Sequence, residues 1–200
     1  MNITQAPEAE PADARQAAVL EAAVGVFARY GYRKTSMDEV ARAAGVSRQG
    51  LYLQFASKEE LFRKALEKSL NSQLNAAIAA LSHREDSLER RLIAACDAWS
   101  GQFVGTLGSD AADLMCASTS LAGATLARYE TEFELAVARA IADSPLNGLC
   151  ATAGLCPADL ACSLHATARG FKQRSATREE FVRGMTVAAR MFCMPLNESR

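Results

Sequence analysis

The chain has 200 residues, half of them hydrophobic, and a formal net charge of −1. That is enough apolar material for one or two packed domains, and it excludes disorder for the bulk of the chain. Alanine supplies 40 residues and aromatics only 13, and no proline falls between residues 12 and 144, a pattern that predicts an all-α protein. No run approaches the roughly 20 uncharged apolar residues needed to span a bilayer. The start, Met1 to Pro11, has neither a basic nor an apolar signal region, so a cytoplasmic chain without a membrane partner is expected. The six cysteines, at 96, 116, 150, 156, 162 and 193, form no C-x-x-C pair and are expected as thiols.

Charge is distributed unevenly. Residues 12–64 hold nine basic and six acidic side chains, while residues 65–200 hold 13 and 15. A mildly basic front on a nearly neutral body permits nucleic-acid binding without demonstrating it.

Residues 1–12 read as a disordered tail. A first helix is predicted over Asp13 to Tyr30, where Val19, Ala23, Val26, Phe27 and Tyr30 form one apolar face, and Gly31 is a stop signal. Ser36 with Glu39 is a capping box that opens a short helix carrying Met37, Val40, Ala41 and Ala44 inward. Gly45 ends it. Ser47 is an N-cap for another short helix to about Phe55, with Leu51 and Phe55 facing the core. Ser57 with Glu60 is a second capping box, opening a long helix with an apolar stripe from Phe62 to Leu81. Stripes from Leu88 to Phe103 and from Leu126 to Ile141 mark two more helices. Between them a short helix is expected around Ala111–Ala117. Residues 144–157 read as a loop. Pro157 suits the first turn of a helix reaching about Gly170, and Thr177 with Glu180 caps a last helix to about Cys193. The expected domains are 13–60 and 61–200.

Ser36 to Phe55 has the dimensions of a helix-turn-helix, which lays the exposed face of its second helix in the major groove of DNA. On that face Arg48 can donate a fork of hydrogen bonds to guanine, and Gln49 can pair with adenine. Ser47, Tyr52 and Gln54 are further contacts, and Thr35, Ser36 and Lys58 are candidate phosphate donors. Gly50 either permits close approach to DNA or serves a packing contact. A helical hairpin inside an ordinary bundle would show similar caps, but would rarely expose Arg, Gln, Tyr, Gln and Lys around one short helix.

The run Ala44-Gly45-Val46-Ser47-Arg48-Gln49-Gly50-Leu51-Tyr52-Leu53-Gln54-Phe55 resembles the DNA-binding domain of the TetR (tetracycline repressor) family, and so does Ser57-Lys58-Glu59-Glu60-Leu61-Phe62. Val19 to Ala23, Phe27, Gly31-Tyr32, Thr35-Ser36-Met37 and Val40-Ala41 extend the likeness over residues 15–66. Asp38 departs from relatives that carry a basic residue there. The resemblance implies a homodimeric repressor, released from a palindromic DNA operator by a small-molecule effector bound in a C-terminal helical domain.

In that C-terminal region Trp99, Phe103, Met115, Tyr129 and Phe133 are candidates for lining an apolar pocket, although core packing explains each of them singly. Leu160, Leu164, Phe171, Phe181, Met185 and Phe192 on the last two helices suit either a dimer interface or intramolecular packing, and the resemblance favours the dimer. Cys156, Cys162 and His165 offer an alternative of metal or thiol sensing, but no metal-ligand spacing supports it. Nothing in the sequence forms a catalytic constellation, and no cofactor is implied. A helical-bundle carrier or enzyme with a vestigial DNA-binding domain is the remaining alternative.

Overall fold

The computed structural model describes residues 12–105 and 111–197, so the expected N-terminal tail lies outside the described residues apart from its last position. Nine α-helices and one 3-10 turn make up the described residues: α1 (Ala12–Lys34), α2 (Met37–Ala43), α3 (Arg48–Gln54), α4 (Lys58–Ser82), α5 (Leu88–Ser100), α6 (Ala111–Ala142), α7 (Leu146–Thr152), α8 (Pro157–Arg174) and α9 (Arg178–Asn197). The all-α expectation holds for them.

The capping signals act where the sequence places them. Ser36, Ser47 and Ser57 each accept a hydrogen bond from the backbone N–H three residues on, which satisfies a donor that the helix itself leaves free. Gly31 (φ 77°) breaks the line of α1 before its last turn, and Gly45 (φ 67°) makes the turn between α2 and α3. Both lie in the left-handed region, where a side chain would strain the backbone.

Three elements differ from expectation. The short helix at 111–117 and the long one after it are one helix, α6, broken only at Ala122 (φ −143°, ψ 25°). Glycine and serine punctuation in 105–123 suggested separate pieces, but packing on both cores keeps the chain helical. Residues 146–152 form α7 rather than a loop, because Leu146 and Cys150, four apart, both bury. α8 runs on to Arg174, past Gly170.

Two apolar cores result. The first joins α1–α3 with Leu61, Phe62 and Ala65 of α4 and Ala117 of α6. The second joins the rest of α4 with α5 to α9. The expected boundary at 60/61 therefore falls inside α4, whose opening turns belong to the first core. α4 and α6 each enter both cores.

Candidate nucleic-acid interface and effector cavity

Only Leu51 of α3 is buried. Phe55, its C-cap residue, is buried as well, so the helix is pinned by one edge and turns the rest of its surface outward. Arg48, Gln49, Tyr52 and Leu53 are all exposed. Asp38 of α2 takes two hydrogen-bonding contacts from Arg48, Nη1 to Oδ2 and Nε to Oδ1, each at 3.1 Å. The guanidinium also lies 5.6 Å from the centre of the Tyr52 ring. The acidic departure at position 38 thus holds the single arginine of α3 in place. Gln54 donates back to the Gly50 carbonyl at 3.3 Å. A Cβ on Gly50 would meet only Ser47 Oγ, at 3.1 Å, so no neighbouring helix requires glycine there.

The expected phosphate donors behave differently from one another. Ser36 is exposed, but its hydroxyl and N–H both donate to Glu39, at 2.8 and 2.7 Å, which holds the Glu39 carboxyl below the usual carboxylate range. Thr35 requires correction: it is buried, and its hydroxyl donates to the Gly31 carbonyl at 2.6 Å, closing the end of α1. Lys58 also has another task. Its Nζ donates to the carbonyls of Tyr32 and Thr35 at 3.0 Å each and of Arg33 at 3.4 Å, and stands 4.4 Å from the Tyr32 ring centre. An ammonium at a helix C-terminus meets unsatisfied carbonyls and the negative end of the dipole.

Lys58→Met is accordingly expected to weaken binding to all duplexes by loosening α1 from α4. It should cost about 1.5–3 kcal/mol of stability, the range for hydrogen bonds from a charged group. The salt dependence of binding should stay unchanged, whereas loss of a direct phosphate contact would lower its slope by about one. Titrations at several salt concentrations separate the two.

Tyr30, expected on the apolar face of α1, is exposed instead, and Arg29 and Arg42 carry no expected role. All three border a shallow groove between α1 and α2, with the Arg29 guanidinium 5.2 Å from the Tyr30 ring.

A cavity of about 530 Å³ lies between the two cores, with walls from α1, α4, α5, α6 and α8. Trp99, Phe103 and Met115 line it; Tyr129 and Phe133 do not, and both are buried in the second core. Phe133 stacks on Trp99 with ring centres 5.1 Å apart and planes within 9°. The polar wall was missed in the sequence: Gln73, Glu130, His165, Arg169 and Lys172 all reach the cavity. Trp99 Nε1 donates to His165 Nε2 at 3.2 Å, and His165 Nδ1 lies 2.7 Å from Glu134 Oε1. An indole N–H can only donate, so Nε2 accepts and the ring proton sits on Nδ1, facing the carboxylate.

His165 is buried while Cys156 and Cys162 are exposed, and among the described residues no group of three or more His, Cys, Asp or Glu is placed to hold a metal. Burial pushes the Cys96 thiol up to about 12 and the Cys193 thiol to about 11, so neither supplies a reactive thiolate.

The expected dimer residues pack inward. Leu164, Phe181 and Met185 are buried within the subunit, and Leu160, Phe171 and Phe192 lie against the same core. Periodicity identifies a stripe and not the side it meets. Among the residues of α9 whose burial is described, the exposed large apolar ones are Val187, Met191 and Met194, at spacings of four and three.

The sequence profile of bacterial regulatory proteins of the tetR family matches residues 19–65, which span α1 from its buried face, the helix-turn-helix and the first turns of α4. Residues 19–65 form a TetR-type DNA-binding domain. The chain is 43% identical over 75 residues to the HTH-type transcriptional regulator YfiR of Bacillus subtilis, covering 38% of this chain and 37% of that protein. It is 38% identical over 89 residues to the HTH-type transcriptional activator FasR of Mycolicibacterium smegmatis, covering 44% and 40%. The chain thus matches well under half the length of these curated relatives. The crystal structure of a candidate TetR-family regulator from Mesorhizobium loti superposes over 92% of this chain and 98% of that one, with TM-score 0.69 at 18% identity. That likeness shows that the TetR-family fold extends through the C-terminal helices. Among the described residues no helix is long and apolar enough to cross a membrane.

Proposed function

We propose that the chain is a cytoplasmic, DNA-binding transcriptional repressor, acting as a homodimer on a palindromic operator and released by a small molecule in the cavity. The observation that carries this reading is α3: a seven-residue helix with one buried residue, whose Arg48, Gln49 and Tyr52 face solvent on a basic domain. Such a surface has no role inside the fold and suits base edges in a major groove. The exposed row Val187, Met191 and Met194 on α9 is the face proposed for the twofold contact.

Release is proposed to act through α6. Its first half carries Leu114, Ala117 and Leu121 against the first core and Met115, Ser118 and Thr119 into the cavity. Asp113 at its start accepts from the Arg33 backbone N–H at 2.8 Å and from Arg33 Nε at 2.7 Å. Arg63 Nε donates to the Leu121 carbonyl at 3.0 Å, beside the break at Ala122. An occupant that shifts this half-helix therefore pulls on the end of α1, and α1 fixes α2 and α3. Asp113→Asn should leave operator affinity near wild type and reduce effector-driven release, read as operator release against effector concentration. Release unchanged by Asp113→Asn would remove this link from the route.

Selection of bound sequences from random duplexes tests the function. The expected result is a palindrome with half-sites one helical turn apart, about 34–36 Å, and steep salt dependence. Arg48→Ala should lose about 1–3 kcal/mol of discrimination at one base pair in each half-site. No enriched sequence, together with turnover or carriage of a metabolite, would favour a carrier or enzyme instead.

A further inference from the structure

The cavity has both an apolar and a polar lining. Leu66 and Leu70 of α4 and Trp99 of α5 give it an apolar wall. α8 faces that wall with His165, Arg169 and Lys172, spaced by four and three and so on one side of the helix. Two of these three polar groups are already engaged. His165 is held between Trp99 and Glu134. Arg169 pairs with Glu130 at 3.6 Å. Lys172 is left: among the described residues its ammonium makes no hydrogen bond or ion pair. Burial pushes it below the ordinary lysine range, the Arg169 charge adds to that effect, and Glu130 opposes it.

Lys172 is half-buried, and the carboxylate that acts on it, Glu130, is already paired with Arg169, so a bound anion relieves the cost of its partial desolvation. We propose that the cavity takes an amphipathic monocarboxylate, its carboxylate on Lys172 and its apolar body along Leu66, Leu70 and Trp99. This rests on the effector role given to the cavity above and names the ligand class. A neutral ligand leaves Lys172 unpaired. An organic cation meets Lys172 and Arg169 together. A polyanion has only the apolar wall for its remaining charges.

Trp99 is the chain's single tryptophan and lines the site, so its emission reports occupancy. The full chain is titrated with decanoate and with its uncharged amide, decanamide. Decanoate is expected to bind at least about tenfold more tightly, as a charge-assisted hydrogen bond implies. Lys172→Met should abolish that preference by weakening decanoate alone, and Lys172→Arg should keep most of it. Lys172→Gln serves if the methionine variant does not melt cooperatively. Equal affinities for the two probes in the wild type, tighter binding of the amide, or no response to either overturns the proposal. So does a preference that survives Lys172→Met. Binding of the selected duplex is followed in parallel. Decanoate that binds through Lys172 without releasing DNA leaves the ligand class standing and removes the effector reading. Release by decanamide as effectively as by decanoate does the reverse.

Discussion

A Leu51→Ala variant is expected to lose sequence-specific duplex binding almost completely while the second core stays folded. Leu51 is fully buried and is the one residue of α3 that is. Removing a buried leucine side chain costs about 2–5 kcal/mol through lost transfer energy and the void left behind. A seven-residue helix has no stability of its own, because nucleation outweighs so few hydrogen bonds. The Ser47 cap and the turn at Gly45 remain in the variant, but nothing then holds the exposed face at a fixed height above α2. The measurement is duplex affinity beside Trp99 emission, since Trp99 belongs to the second core. Wild-type affinity in Leu51→Ala would show that α3 is placed by its caps alone. Collapse of both signals together would show that the two cores melt as one.

Phe133→Ala should give the larger loss of global stability, about 3–5 kcal/mol for a fully buried phenylalanine. The ring is inaccessible to solvent, stacks on Trp99, and meets the His165 ring edge-on with centres 5.3 Å apart. It stands behind the cavity rather than in it, so its deletion opens a void that Trp99 can fill by tilting. That motion would break the donation from Trp99 Nε1 to His165 and shift both cavity walls. The expected readouts are a lower melting temperature, altered tryptophan emission and weaker ligand response, with duplex binding retained below the melting transition. Phe103→Ala is the control. Phe103 lines the cavity and is only half-buried, so it should alter ligand binding at small cost in stability. If the two variants melted alike, Phe133 would not be a core residue of the kind described.

Local chemistry in this chain is written locally. Ser36, Ser47 and Ser57 cap because a hydroxyl three residues ahead of a free N–H needs no tertiary partner, and Gly45 turns because its φ excludes other residues cheaply. The helix-turn-helix, its exposed Arg48, Gln49 and Tyr52, and the family likeness all follow from such short-range terms. The reassigned residues are those whose role depends on contacts far along the chain. Lys58 reaches back to carbonyls 23 to 26 residues earlier, and Asp113 to an arginine 80 residues earlier. Periodicity located the stripes of α8 and α9 but not their partners, so Leu164, Phe181 and Met185 fill the subunit's own core and Val187, Met191 and Met194 are left outside. The cavity depends most on tertiary structure. Its apolar wall resembles any core in sequence, and its polar wall is assembled from Gln73 of α4, Glu130 of α6 and His165, Arg169 and Lys172 of α8. The sequence determined where helices begin, end and turn, because those energies are settled within a few residues. Tertiary structure alone decided which faces meet, and therefore which charge remains unpaired.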